Sequence, residues 1–382
     1  MYDRWVRAAA AGQVSGVILI DLSAAFDLVD SDILLQKLRI YGFDNGSLSW
    51  IQSYLSDRHQ AVWIDHVFSD FISHSIGVPQ GSILGPLFFL IYYSDLLYTL
   101  DCNVDAYADD STMSSTGQSV TSIGNTLTDD CPKVVDWMNS NQLKLNADKT
   151  HLLTVGTLQR LNSLPENVQV TMDGVNLEES MEKYELLLGC IVEPNLKWKL
   201  QVKRLVEKLK TRLTGLSSIK YIVPYNTRNT ITIGIFNSVL VYCLPVFGGC
   251  NVEEVNDLQV MQNRAAQIVT HSPPRANRNQ MFDKLKWLTV SQLIVYHTIL
   301  TVYKVRQSRE PEYLANFLMN DNRLGSIIIP NTTLGLAKKS FVWRGSENWN
   351  SLPLTLRKTG KLGAFKRGVQ QWVTENIQRF KE

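Results

Sequence analysis

The chain has 382 residues, 45% of them hydrophobic, enough to bury a sizeable core in two or three domains. Its greasiest run, Ile83 to Tyr93, is broken by Gly85 and Pro86, and it is too short to cross a membrane. The first residues lack the apolar core and cleavage site of a signal peptide, and five cysteines at wide spacing, without a CxxC, argue against a disulfide framework or structural zinc.

These features fit an intracellular protein with reduced thiols and no membrane contact. The net charge of +2 hides an asymmetry. Residues 1–150 carry eight Lys/Arg against eighteen Asp, a net of −10, and the remainder carries thirty basic against eighteen acidic residues, a net of +12. Two ordinary domains of different charge would account for this. So would a cation-binding half joined to a half that holds a polyanion.

In chain order, Val17-Ile-Leu-Ile20 is a short β-branched run that reads as a buried strand delivering Asp21 at its end. Ser31 or Asp32 is placed to cap a helix through Leu34, Leu35 and Leu38 that stops near Gly42. Gly77-Val-Pro-Gln-Gly81 is a turn-rich break before a helix over residues 82–97, with Pro86 tolerated in its first turn. Val104 to Ser115 reads as a hairpin with Asp109-Asp110 at its tip. A helix is expected over residues 123–140, with Pro132 as a blemish, then strands at 143–146 and 152–155 around a polar turn containing Lys149. A further short hairpin, residues 168–177, pivots on Asp173-Gly174. Past Gly189 the period becomes helical: Val202, Leu205, Val206, Leu209, Leu213 and Leu216 form one stripe, with Lys199, Lys203, Lys208, Lys210 and Arg212 on other faces. Further helical segments are expected at 227–243, 252–270 and 290–307, and no internal repeat or low-complexity tract is visible.

The carboxylates carry the chemistry. Two-metal nucleotidyl transfer needs acidic ligands from separate strands, gathered so that two divalent ions sit roughly 3.5–4 Å apart. Mg²⁺ suits this role because it takes oxygen ligands and keeps several waters, so a few carboxylates suffice. Asp21 at a strand end and Asp109-Asp110 at a hairpin tip have that character, although any one of them alone reads equally as a cap, a turn former or a solvated charge.

Four blocks in order are harder to explain so simply. Asp21-Leu-Ser-Ala-Ala-Phe26-Asp27, Gly77-Val-Pro-Gln-Gly-Ser-Ile-Leu-Gly-Pro86, Tyr107-Ala-Asp-Asp110 and Leu145-Asn-Ala-Asp-Lys149-Thr150 together resemble the reverse transcriptases of non-LTR, LINE-like retrotransposons, particularly the jockey-type lineages. The resemblance covers about residues 15–155. It implies an α+β polymerase palm, a split β-α-β with an antiparallel sheet carrying the aspartates at one edge, followed by a mostly helical thumb and C-terminal region.

The resemblance also assigns roles. Asp21, Asp109 and Asp110 match the metal ligands, for two Mg²⁺ ions that Mn²⁺ could replace, and Tyr107 opens the Tyr-x-Asp-Asp box. Phe26 matches the aromatic that crowds the sugar 2′-position, with a core aromatic at a strand-to-helix turn as the simpler alternative. Pro79, Gln80 and Gly81 match a loop that contacts the incoming nucleotide and template, and a plain turn is the alternative there. Lys149 matches a proposed acid toward pyrophosphate, and otherwise reads as a solvated loop lysine. Asp27, Asp30 and Asp32 read as caps and supporting groups rather than ligands.

Tyr184 to Val192 resembles the hairpin that supports the primer end, and residues near 197–216 occupy the place of a thumb helix whose basic side chains can track phosphates. Ser340 to Pro353, with Phe365-Lys366, resembles the C-terminal region of jockey-like elements, and Trp343 and Trp349 within it read most simply as core. The expected division is a palm over 1–195, a thumb-like region over 196–250 and a helical region of unassigned role over 251–382.

Members of this family carry a fingers region and an endonuclease upstream of the first Asp block. Only twenty residues precede Asp21 here, so the expectation is an N-terminally truncated palm and thumb that polymerises weakly or not at all. Neither a retroviral-type RNase H segment nor a zinc knuckle is apparent. The function expected is RNA-directed DNA polymerisation with RNA template, DNA primer and dNTPs as partners. The alternative is a catalytically inactive remnant that binds RNA or RNA–DNA hybrid. An intron-encoded or telomerase-like enzyme would share the palm, but the Trp349-Asn-Ser-Leu-Pro353 segment disfavours it.

Overall fold

The computed structural model describes residues 1–146, 149–179, 184–322, 326–329, 332 and 334–376. It divides into two compact units, residues 12–184 and residues 1–11 with 185–382. The N-terminal helix α1 (Tyr2–Ala10) therefore belongs with the C-terminal half. Its Tyr2 hydroxyl donates to the Leu196 carbonyl (3.0 Å), and its Asp3 carboxylate accepts from the backbone N–H of Val342 (3.2 Å).

In the first unit the expected strand is β1 (Val14–Ile20), with Val17 and Ile18 fully buried. The two-residue strand β2 (Leu22–Ser23) follows, then α2 (Ser31–Ile40) and α3 (Asn45–Leu55). The cap of α2 is Asp30, one residue before the expected positions: its backbone is extended and its carboxylate accepts from the N–H groups of Asp32 and Ile33, both at 2.9 Å. Two small hairpins come next, with β3 (Arg58–Gln60) pairing with β6 (Ile72–His74) and β4 (Trp63–Ile64) with β5 (Val67–Phe68).

Helix α4 (Gly85–Tyr93) starts three residues later than expected. Ser82 stays outside the helix, its Oγ accepting from Gly85 N at 2.9 Å and donating to Pro79 O at 2.7 Å. Strands β7 (Asn103–Tyr107) and β8 (Asp110–Gly117) form the expected hairpin, and α5 (Val120–Ser140) runs through Pro132 without ending. Strands β9 (Lys144–Leu145) and β10 (His151–Val155), the short helix α6 (Leu158–Asn162) and the β11 (Thr171–Met172)–β12 (Val175–Asn176) hairpin complete the unit.

The main sheet has the order β10-β1-β8-β7, with every neighbouring pair antiparallel. Helix α5 covers it, and Ile123, Leu127 and Val134 reach the core with Ile18, Met113 and Leu152. Gly16 on β1 makes this packing tight, because a Cβ there would stand 2.8 Å from the Ile123 side chain.

The second unit opens with the hairpin of β13 (Glu185–Leu187) and β14 (Cys190–Val192). Helix α7 (Lys199–Ile219) then buries Val202, Leu205, Leu209, Leu213 and Leu216, the stripe read from the sequence. The helix expected over 227–243 runs without a gap over residues 225–241: α8 (Tyr225–Thr232) passes through a π-turn at Ile233–Asn237 into α9 (Ser238–Val241), which ends where Tyr242 turns extended and Cys243 takes φ +54. The short α10 (Leu244–Phe247) leads to α11 (Val252–Thr270), α12 (Arg278–Leu285) and α13 (Val290–Ser308). The core around α7 runs on through Leu258, Met261, Val290 and Ile294, so it crosses residue 250 without a break.

Helices α14 (Glu312–Leu318), α15 (Gly335–Lys338), α16 (Phe341–Ser351), α17 (Leu354–Arg357) and α18 (Leu362–Glu375) complete the unit. Here Val302, Trp349, Phe365 and Val369 share a core in which the Tyr303 and Phe365 rings stack at 4.0 Å. Trp349 is thus a core residue, while Trp343 is only half-buried. Among the described residues no helix is long and apolar enough to cross a membrane.

Leu127 is fully enclosed between α5 and the sheet. Leu127→Ala is expected to lower unfolding stability by about 2–5 kcal/mol in urea titrations. A loss below about 1 kcal/mol would show that α5 is not packed as described.

Candidate active site

Asp21 is the first residue after β1, and the register carries it to a defined place. Ile20 on β1 lies opposite Ser111 on β8, so the next residue of each strand toward that end of the sheet is Asp21 on one and Asp110 on the other. Tyr107 pairs with Asp110, leaving Ala108 and Asp109 as a two-residue turn. Ala108 takes φ +54, a left-handed conformation uncommon for alanine, which keeps the turn tight. Two separate stretches of chain thereby present three carboxylates at one end of the sheet.

The carboxylates feel one another. Partial burial, the charge of Asp109 and the charge of Asp21, in that order, raise the Asp110 carboxyl above its ordinary range. Among the described residues, however, no three His, Cys, Asp or Glu side chains are gathered round one point. The set acts as a concentration of negative charge supplied by oxygen donors. That chemistry suits a hard divalent cation, which needs few protein ligands and completes its shell with water.

Two neighbours steady Asp21. Strands β2 and β9 pair Leu22 with Leu145, which brings Asn146 alongside. The Asn146 side-chain amide donates to Asp21 Oδ2 at 3.0 Å, and the Asn146 N–H donates to the Asp21 carbonyl at 2.9 Å. Lys149 follows, with its Nζ 3.9 Å from Asp21 Oδ2 and its side chain largely in solvent. An exposed pair of this kind contributes little to stability, about 0–1 kcal/mol, so its position matters more than its strength.

The turn after Asp21 meets the glycine-rich loop. Gly77 N donates to Val29 O (2.7 Å), Val78 N to Phe26 O (2.9 Å), and the Gln80 amide to Asp27 Oδ1 (2.9 Å). Gly77 is required twice over: its φ is +91, and a Cβ would stand 2.9 Å from the Asp27 carbonyl oxygen. Pro79 is half-buried, whereas Gln80 and Gly81 are exposed, and open space lies before Gly81. Phe26 is half-buried with its ring stacked on Phe89 at 4.5 Å. Phe89 stacks in turn on Tyr93, whose hydroxyl donates to Ser111 Oγ (2.9 Å) and is pushed up to about 12 mainly by burial. An aromatic column therefore stands behind the strand that carries Asp110. Tyr107 is mostly exposed beside the turn.

The sequence reading did not single out three basic or ring groups that share a cleft with this loop. Arg58, His59 and His74, from β3 and β6, line a cleft of about 560 Å³ with Asp27, Gly77 and Gln80. The Arg-x-Gln spacing at Arg58–Gln60 offered no periodic signal, and only the β3–β6 pairing, Arg58 opposite His74, brings them together. In the second unit, Arg204, Lys208 and Arg212 lie at four-residue spacing on α7 and face a groove of about 490 Å³ whose other wall includes Gly189 and Tyr242. Tyr242 is fixed there by donating to the Leu188 carbonyl (2.7 Å).

Residues 5–215 match the family described as "Reverse transcriptase (RNA-dependent DNA polymerase)". The chain belongs to the reverse transcriptase family. It is 27% identical over 319 residues to the "Probable RNA-directed DNA polymerase from transposon BS" of Drosophila melanogaster, a match covering 79% of this chain and 34% of that protein. It is 25% identical over 270 residues to the "RNA-directed DNA polymerase from mobile element jockey" of the same fly, covering 66% of this chain and 28% of the relative. The chain thus spans about a third of the length of the curated relatives it matches. Apo telomerase of Candida tropicalis aligns over 98% of this chain and 56% of its own, at 12% identity and a TM-score of 0.41. These relatives make the chain a LINE-like, non-LTR reverse transcriptase, and the family implies dependence on a divalent metal ion.

Two outcomes test the site's physics. In metal-free buffer, Asp110→Asn should melt at a higher temperature than wild type near about pH 7, with the gap closing toward about pH 4. The sign follows from the raised carboxyl. Holding it ionised disfavours the folded state, and that penalty grows as pH rises from the ordinary value of 3.8 through the folded one. A gap that is absent at about pH 7, or that widens in acid, would contradict the crowding of charge. Separately, Gly77→Ala should cost about 1–3 kcal/mol in chemical unfolding, and a neutral result would show that the loop does not close on Asp27 as described.

Proposed function

We propose that the chain is the catalytic core of an RNA-directed DNA polymerase that joins a dNTP to the 3′-hydroxyl of a DNA primer on an RNA template. The observation that carries this is the β1–β8 register, which sets Asp21 beside the Asp109-Asp110 turn in a member of this family. In the reaction the 3′-oxygen forms a bond to the α-phosphorus, the bond from the α-phosphorus to the bridging oxygen breaks, the hydroxyl proton passes to solvent and pyrophosphate departs with the bridging oxygen. Two divalent cations, Mg²⁺ in this reading with Mn²⁺ as a substitute, would lower the pKa of the 3′-hydroxyl and neutralise charge on the triphosphate.

The chain's own residues have separate tasks. Asp21, Asp109 and Asp110 supply the oxygen donors, and Asn146 fixes the orientation of the Asp21 carboxylate. Lys149 is close enough to this centre to give a proton to the leaving pyrophosphate. Phe26, braced against Phe89, presents a rigid ring that would exclude a ribose 2′-hydroxyl. Gln80, held by Asp27, Pro79 and Gly81 form a surface against the nucleotide and template, with Tyr107 at the hairpin tip. The α7 groove of Arg204, Lys208 and Arg212 offers charge spaced to follow a phosphate backbone.

Primer extension on poly(rA)/oligo(dT), with the chain fused behind the fingers segment of a jockey-type relative, is the direct test. Asp110→Asn and Asp21→Asn should each reduce dTTP incorporation by on the order of 10³-fold or more, and unchanged extension would reject the assignment. Phe26→Val should raise incorporation of ribonucleotides relative to dNTPs by about tenfold or more while retaining dNTP use. An unchanged ratio would leave Phe26 as a core residue only. Nucleic-acid binding that persists without divalent cation and without incorporation would favour the binding-remnant reading.

A further inference from the structure

A second face of α7 carries positive charge that the proposed polymerisation does not use. From Lys208 to Val252 the chain has five basic residues, Lys208, Lys210, Arg212, Lys220 and Arg228, and no Asp or Glu. From Leu258 to Phe282 it has Arg264, Arg275 and Arg278, again without a carboxylate. Helices α7 and α11 bring these runs together by packing Leu209 and Leu213 with Leu258, Met261 and Ala265. Between them lies a groove of about 590 Å³ lined by Lys210, Thr214, Ser217, Lys220, Arg264 and Ser272. At about 100° per residue, Lys210, Thr214 and Ser217 stand roughly half a turn of the helix away from Arg204, Lys208 and Arg212. The two grooves therefore occupy opposite sides of α7.

Next in sequence to Lys220 and Ser272 of the groove lining stand two aromatic rings, Tyr221 and His271. Tyr221 is 78% exposed, with Lys220 Nζ 4.5 Å from its ring centroid and the His271 ring 5.3 Å away. The place is fixed rather than frayed. His271 Nε2 hydrogen-bonds to the Lys220 carbonyl (2.8 Å), and buried Arg228 donates to the carbonyls of Lys220 (2.5 Å), Val223 (2.8 Å) and Val269 (3.0 and 2.8 Å). A guanidinium thus ties the ends of α7 and α11 together and adds its charge to theirs. The carboxylates that do occur on the two helices, such as Glu207 and Asp257, precede the groove, and Asp283 follows it on α12.

We propose that this groove binds single-stranded nucleic acid, with backbone phosphates against Lys210, Lys220 and Arg264 and a base stacked on Tyr221. Charge and hydroxyl donors alone would accept any polyanion. The exposed ring flanked by a cation and a second ring adds what only an unpaired base can use. The groove shares no residue with the carboxylate centre, so the inference stands whether or not the chain polymerises.

The test is fluorescence anisotropy of the full chain with a labelled oligonucleotide of about twenty residues, in RNA and DNA arms, titrated over salt. Lys210→Glu/Arg264→Glu should weaken binding by about tenfold or more and flatten the salt dependence by about one unit of slope. Tyr221→Ala should weaken it by about fivefold or more with the salt slope unchanged, which separates stacking from charge. The milder Lys210→Gln/Arg264→Gln pair, with a melting curve like wild type, should show the same direction of loss. The arm with the larger loss names the sugar that the groove prefers. Equal losses from Lys361→Glu/Lys366→Glu, unchanged affinity in both the Tyr221 and Lys210/Arg264 variants, or displacement of the oligonucleotide by poly-glutamate as effective as by unlabelled strand would each overturn the proposal.

Discussion

Like charges repel, and the first unit is built so that backbone hydrogen bonds hold them together regardless. Asp21 and Asp110 lie on neighbouring strands whose ladder runs without a break from Val14–Gly117 to Ile20–Ser111, and Asp109 sits in the tight turn beyond. The penalty appears at Asp110, whose carboxyl resists ionisation partly because Asp109 and Asp21 are already charged. Such a cost persists only where the surrounding structure fixes the arrangement. Here the fixing is done by fully buried Val17 and Ile18 at the centre of β1 and by α5 packed across the sheet. A divalent cation bound there would relieve the repulsion.

The parts around this centre are subordinate to it. Asn146 and Lys149 approach Asp21 because β2 and β9 pair, and the loop at Gly77–Gln80 is clasped to the turn at Phe26–Val29 by three hydrogen bonds. Phe26, Phe89 and Tyr93 form a stacked column behind β8. Each of these contacts converts a flexible segment into a surface with a fixed position relative to the carboxylates. Fixed groups of this kind are what differential stabilisation of a transition state requires.

Much of this was legible because it is local or carried by ordered motifs. The apolar run before Asp21, the hairpin around Asp109-Asp110 and the α7 stripe follow from residue period and turn chemistry. The helix over 227–243 was legible too, ending at Val241, but the π-turn at Ile233–Asn237 within it was not, because it shifts the register without any composition signal. Nor was the Asp30 cap distinguished from Ser31 and Asp32, since all three residue types can cap and only backbone conformation selects among them. The amide of Asn146 on Asp21, the Gln80–Asp27 bond and the cleft shared with Arg58 and His74 join residues far apart in sequence. No local pattern encodes such pairs. The groove between α7 and α11 belongs to the same class: its charges were visible in the sequence as a net excess, but their convergence around Tyr221 depends on helix packing.

The central claim is that the three aspartates form one site for divalent cation, and Mn²⁺ binding followed by electron paramagnetic resonance measures it without any need for turnover. The wild-type chain should bind Mn²⁺, and Asp21→Asn, Asp109→Asn and Asp110→Asn should each weaken that binding by about tenfold or more. Three variants that bind Mn²⁺ as tightly as the wild type, while remaining folded, would contradict the account.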